Sequence, residues 1–137
     1  DEGSNSIATI VKHISGNMIS RWTHFLNEDG EKSWRNRVAE FENNLRSKAE
    51  MLEIWERGWN VFYDAFDQIT PENMEQIILI RGEEHTVVDA LLRQLGHYPY
   101  HIGQIIFIGK MLKKEEWKNK SRTDGSKNCH GPRKHLR

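Results

Sequence analysis

The sequence predicts an all-α protein with a short β-hairpin ahead of its last helix. Three observations lead there. Apolar residues recur at i, i+3/i+4 in three long segments. A four-residue β-prone run, Ile77 to Ile80, interrupts that rhythm and is followed by the turn signal Arg81-Gly82. The chain of 137 residues is of one-domain length, and its five Trp and five Phe supply large buried areas to offset an apolar fraction of only 36%.

The first helix is read in "SNSIATIVKHISGNMISRWTHFL", capped by Ser4 or Ser6, with Ile7, Val11, Ile14, Met18, Trp22 and Phe25 as its stripe. Gly16 and Asn17 are poor helix formers in mid-pattern and demand a local reason. "NEDGEK" at 27–32 is a break. The segment 33–47 is open between a short helix and an ordered loop. The second helix starts at Ser47 and runs through Met51, Trp55, Gly58, Phe62 and Ile69 to Thr70-Pro71, where the residue before proline leaves the helical region. Thr86, with Asp89 three residues on, caps the third helix, which extends to Leu112 or Trp117. Residues 1–118 form the domain, and 119–137 read as a flexible basic tail.

Formal net charge is zero but uneven. Residues 113–137 hold nine Lys/Arg against three Asp/Glu, a net of +6, and the body carries −6. The single cysteine, Cys129, excludes an intrachain disulfide, and no long apolar run or signal pattern is present. The expectation is a cytoplasmic protein with no membrane partner. The tail lacks interleaved aromatics and any DNA-reading motif, so nucleic acid is not the expected partner.

No nucleophile elbow, P-loop, CxxC or dinucleotide fingerprint occurs, so a metal is the one catalytic device on offer. His97 and His101 stand four apart, which puts them on one helix face and lets two neutral imidazoles reach one ion. At about 100° per residue, Val87, Leu91, Leu95, Tyr98, Ile102, Ile105 and Ile106 form the apolar seam, and the two histidines lie roughly 100° from it. His13 lies about 140° off its own stripe. Pattern alone leaves two readings open: solvent-facing or interfacial histidines, and ligands at one end of a bundle. Pro99 between the pair leaves the Leu95 carbonyl without its donor at a cost of about 3 kcal/mol, strain more often kept beside a functional site.

"SIATIVKHISGNMISRWTHFL", "DGEKSWRNRVAEFE" and "IRGEEHTVVDALLRQLGHYPYHIGQIIFIGKML" resemble the DinB-like superfamily, in particular a branch of unknown function, over residues 4–117. The resemblance implies an up-up-down-down four-helix bundle with a divalent metal, zinc or nickel, on His13, His97 and His101. It further implies a homodimer and, in some members, transfer of a low-molecular-weight thiol to an electrophile. The alternative function is a non-catalytic, dimeric stress-related bundle without metal. Only three strong helices are legible, so the family's first helix is either absent from this chain or replaced by residues 33–47 or by a partner subunit.

Around this site, Gln104 and Tyr100 are the catalytic candidates: Gln104 to orient a ligand, Tyr100 to donate to substrate. Tyr98 is read as core and Asn17 as helix surface. His24 is read as surface and His85 as structural. Trp55, Trp59 and Phe62 are read as core.

Overall fold

The computed structural model describes residues 5–42 and 44–117. The tail 119–137 and Cys129 lie outside the described residues. Three α-helices and one hairpin carry the architecture: α1 (Ile7–Trp22), α2 (Lys48–Phe66), β1 (Ile77–Ile80), β2 (Glu83–Thr86) and α3 (Val87–Lys113). Short 3₁₀ turns follow at Ala39–Phe41 and Lys114–Glu116.

Each helix starts on a side-chain cap. The Ser6 hydroxyl accepts from Thr9 N at 3.1 Å, and Ser47 accepts from Glu50 N at 3.1 Å. Thr86 and Asp89 form the full capping box. α1 ends at Trp22, short of Leu26, because His24 turns into the left-handed region at φ 50°. α2 ends at Phe66, three residues before Ile69 and ahead of the proline signal. There the Asp67, Gln68 and Ile69 amides tighten into turns on the Tyr63, Ala65 and Phe66 carbonyls. Pro99 does not interrupt α3, which is continuous through it. Leu95, whose carbonyl loses its donor, is 70% exposed, so water can replace the missing N–H.

α1 is the central element and packs against both α2 and α3. Eleven of its sixteen residues are buried, on every side of the helix. Its apolar stripe joins Ala65, Ile78, Ile80, Val87, Ala90 and Tyr98 in the core, with Trp55, Trp59 and Phe62 packed around it. Each large apolar side chain buried there contributes about 1.5–3 kcal/mol. Gly58 permits the close crossing of α1 and α2, since a Cβ there would sit 3.0 Å from the Ser15 Cα. Asn17 is buried, contrary to its reading as surface. Its Oδ1 accepts from the Tyr98 hydroxyl at 3.2 Å, and that hydroxyl accepts from Trp22 Nε1 at 3.0 Å, so the buried polar atoms satisfy one another.

The polar side of α1 is covered by residues 27–42, which form an ordered strap with one 3₁₀ turn in place of a fourth helix. Lys12 Nζ donates to the Ala39 and Glu42 carbonyls at 2.6 and 2.9 Å. Lys32 N donates to Ser20 Oγ at 2.9 Å. Asp29 fastens the strap to the hairpin, accepting from Arg81 N at 2.8 Å and Gly82 N at 2.6 Å.

The expected seam of α3 holds in part: Val87 and Tyr98 are buried and Leu91, Ile102 and Ile105 partly so, but Leu95 and Ile106 are exposed. Val87, Ala90, Gln94 and Tyr98 are buried, whereas Leu92, Leu95, Ile106, Phe107, Met111 and Leu112 are exposed. Contact with α1 selects the inward face, and nothing among the described residues covers the most apolar one. No helix among the described residues is long and apolar enough to cross a membrane.

Candidate metal centre

Three histidines converge where α1 meets α3. His13 is buried on α1, and His97 and His101 are half-buried one turn apart on α3. His13 Nε2 lies 3.3 Å from His97 Nε2, which lies 3.1 Å from His101 Nε2. All three ligand atoms fall within 4.8 Å of one another.

The opposite ring nitrogens decide what those short distances mean. His13 Nδ1 donates to Glu40 Oε2 at 3.0 Å, His101 Nδ1 to Gln104 Oε1 at 2.7 Å, and His97 Nδ1 to Gln94 Oε1 at 3.4 Å. Each ring therefore carries its proton on Nδ1 and turns a lone pair inward on Nε2. His97 Nε2 stands at hydrogen-bond distance from each of the other two, and lone pairs so close repel unless a cation lies among them. Two nitrogens each 2.0–2.1 Å from a tetrahedral Zn²⁺ stand about 3.3 Å apart, and the His13–His97 and His97–His101 spacings match that separation. Fixing each ligand by its second nitrogen is the usual support of a histidine metal site.

Protonation works in the same direction. Burial, and then the His101 and His13 rings, lower the His97 pKa to about 4. Burial also lowers that of His101, against the opposing hydrogen bond to Gln104. Both rings are neutral at pH 7 and available as ligands.

Glu40 and Arg35 went unread in the sequence. Both lie in the segment 33–47, which has no periodicity to place its side chains. Arg35 Nε donates to Glu40 Oε1 at 2.7 Å and its Nη2 to Glu40 Oε2 at 3.0 Å, a bidentate pair with side chains 2% and 9% exposed. Burial pushes the Glu40 carboxyl up, but the hydrogen bonds from His13 and Arg35 outweigh it and hold the pKa below the ordinary value. Gly16 was the available signal. A Cβ there would overlap the Glu40 carboxylate, which is why a glycine sits in mid-helix.

The other candidates fall around this centre. Gln104 binds His101 as above and donates through Nε2 to the Tyr100 hydroxyl at 3.1 Å. Tyr100 is 63% exposed, with its ring centroid 5.0 Å from that of His101. Phe41 covers His13 from the strap, at 5.2 Å between centroids. His24 is exposed, and His85 on β2 is not part of the triad.

A family model described as "Protein of unknown function (DUF1572)" matches residues 1–126. This chain belongs to the DUF1572 family. No curated protein and no solved structure matches it. The feature of this DUF1572 protein that bears on chemistry is the His13–His97–His101 cluster.

Proposed function

We propose that this DUF1572 protein is a divalent-metal-dependent enzyme of the DinB-like kind that transfers a low-molecular-weight thiol to an electrophilic substrate. The observation that carries the reading is the set of three inward Nε2 lone pairs, each fixed by an oxygen acceptor on its Nδ1–H. His13, His97 and His101 would hold the ion; imidazole suits both zinc and nickel. Held by three protein ligands, such an ion would leave a position for a thiol and would supply the positive charge that favours thiolate at neutral pH.

The chain's own groups supply the rest. Glu40, neutralised by Arg35, holds the His13 ring in its tautomer and orientation. Gln104 does the same for His101 while accepting no proton of its own. The Tyr100 hydroxyl accepts from Gln104 Nε2, which leaves its own O–H to donate to a substrate at the exposed rim. The cytoplasmic setting remains part of the proposal. So does homodimerisation, which the uncovered apolar face of α3 supports.

The test is elemental analysis of untagged protein together with consumption of a thiol in the presence of a model electrophile. Stoichiometric metal, lost in His97→Ala and His101→Ala, and metal-dependent thiol consumption are expected. Wild-type protein that neither contains nor takes up zinc or nickel would return the function to the non-catalytic bundle.

A further inference from the structure

A second polar cavity adjoins the triad. It has a volume of about 170 Å³, and its walls include Arg21, Arg37, Arg81, Arg93, Asn17 and Gln94, with His13 and His97 at its edge. Four guanidinium groups line it and no carboxylate does. The chain has formal net charge zero and its body is acidic, so this concentration of positive charge is local and is not a consequence of composition.

Arg21 is the informative member. It is 2% exposed, and its Nε donates to the Gly30 carbonyl at 3.3 Å. Its Nη1 is buried with no hydrogen-bond partner. A buried cation is normally paired, because removing it from water without a counter-charge is costly. Glu31, the one carboxylate whose charge favours the Arg21 cation, is already shared between Arg35 and Arg81, each at 3.4 Å. Arg93 adds charge of the same sign; burial and then Arg93 lower the Arg21 pKa to about 10, which leaves it cationic at neutral pH.

Arg81 strengthens the argument independently. It occupies φ 60° in the hairpin turn, a conformation in which glycine or asparagine is relaxed and a long side chain is strained. Asp29 clamps the backbone of that turn, and the Arg81 side chain lines the cavity while its Nε pairs with Glu31 at 3.4 Å. Asn17 spends its Oδ1 on Tyr98, which leaves its amide nitrogen as a further donor. The cavity thus presents donors and positive charge beside the proposed metal position, in a space suited to a carboxylate with a short carbon chain.

We propose that this cavity is a carboxylate subsite: it binds the acid group of a small organic acid co-substrate and holds the rest of that molecule against the His13–His97 edge. The inference deepens the enzymatic reading above and names its substrate class as anionic.

Isothermal titration of the metal-free and zinc-loaded full chain with succinate, with neutral succinamide and with inorganic phosphate tests it, with zinc uptake measured on the same samples. Succinate is expected to bind both forms, more weakly as salt rises, and succinamide is expected not to bind. Arg93→Gln, at an exposed position, is expected to weaken succinate at least tenfold while leaving zinc uptake intact; Arg21→Gln is expected to abolish succinate binding. Should Arg21→Gln fail to fold, Arg93→Gln carries the decision. Succinamide binding as well as succinate, phosphate binding without succinate, or full succinate affinity in Arg93→Gln would each overturn the proposal. Zinc uptake without succinate binding sinks this inference alone, whereas succinate binding without zinc uptake sinks the metal reading alone. On zinc-loaded protein, succinate that displaces mercaptosuccinate but leaves 2-mercaptoethanol bound assigns the carboxylate to the thiol; succinate that displaces neither assigns it to the acceptor. Both upholding outcomes require that Arg93→Gln weakens the carboxylate ligand.

Discussion

His13 Nε2 and His97 Nε2 stand 3.3 Å apart, 84 residues distant in the chain, while His13 Nδ1 donates its hydrogen away from that contact to Glu40. A cation placed between them converts repulsion into attraction, so metal binding and stability are coupled. At a free zinc concentration 100 times the dissociation constant, the folded state gains about 2.7 kcal/mol. The expected outcome is a rise in Tm on adding Zn²⁺ or Ni²⁺, reversed by chelator and absent in His101→Ala, read by thermal melting beside elemental analysis.

Glu40→Gln keeps the size of the side chain and removes its charge. His13 loses its anionic acceptor, and a 10- to 100-fold fall in metal affinity is expected, the usual effect of changing the group behind a histidine ligand. The buried Arg35 guanidinium also loses its bidentate partner and keeps only the longer pair with Glu31 at 3.4 Å, a loss of about 1–3 kcal/mol. Metal-competition titration and urea unfolding measure the two effects separately.

Gly16→Ala and Gly103→Ala should move stability in opposite directions. Both glycines lie inside helices, where alanine is favoured by about 1 kcal/mol. A Cβ at Gly103 meets nothing within 4 Å, so Gly103→Ala is expected to stabilise by about 0.5–1 kcal/mol. A Cβ at Gly16 collides with the Glu40 carboxylate, and overpacking of about 1–3 kcal/mol outweighs the propensity gain. Chemical denaturation gives the sign in each case, and Gly16→Ala should also lose metal.

Asp29 makes the hairpin's anchorage sensitive to acid. Burial pushes its carboxyl up, but bonds from the Glu31, Gly82 and Arg81 amides outweigh that and hold its pKa below the ordinary 3.8. The folded state then takes up this proton less readily than the unfolded chain. The stabilisation is complete above the ordinary pKa and is lost as pH falls through the lower folded value. Asp29→Asn turns an amide N–H toward backbone N–H donors and should cost about 1 kcal/mol at pH 7 for so solvated a group. Denaturation curves of wild type and variant should converge as pH falls below the ordinary carboxylate range; a gap that persists there would show that charge is not its source.

Leu95→Glu tests the uncovered face of α3. Leu95 is 70% exposed, so the fold should tolerate the charge. Sedimentation equilibrium is expected to show a dimer in the wild type and a weakened one in the variant. Identical self-association in both proteins would place any dimer contact elsewhere.

Much of this arrangement was legible in the residues. The three helices, their Ser6, Ser47 and Thr86 caps and the Arg81-Gly82 hairpin turn depend on local spacing and local hydrogen bonds, which a linear sequence displays. The His97–His101 pair was visible because helical periodicity puts i and i+4 on one face. Its link to His13 came from resemblance. The inward face of α3 was legible in part: Val87 and Tyr98 of its seam are buried, whereas Leu95 and Ile106 are exposed and Ala90 and Gln94 buried, because packing against α1 and not hydrophobicity selects the face.

From the sequence alone came the elements and the ligand candidates, since capping, turn chemistry and helical period act within a few residues. Tertiary structure alone decided that Glu40 stands behind His13, that Gly16 makes room for it, and that four arginines gather beside the triad. Those relationships join an irregular strap and a hairpin turn to α1 and α3, and they arise only when folding brings distant backbone segments to the same place.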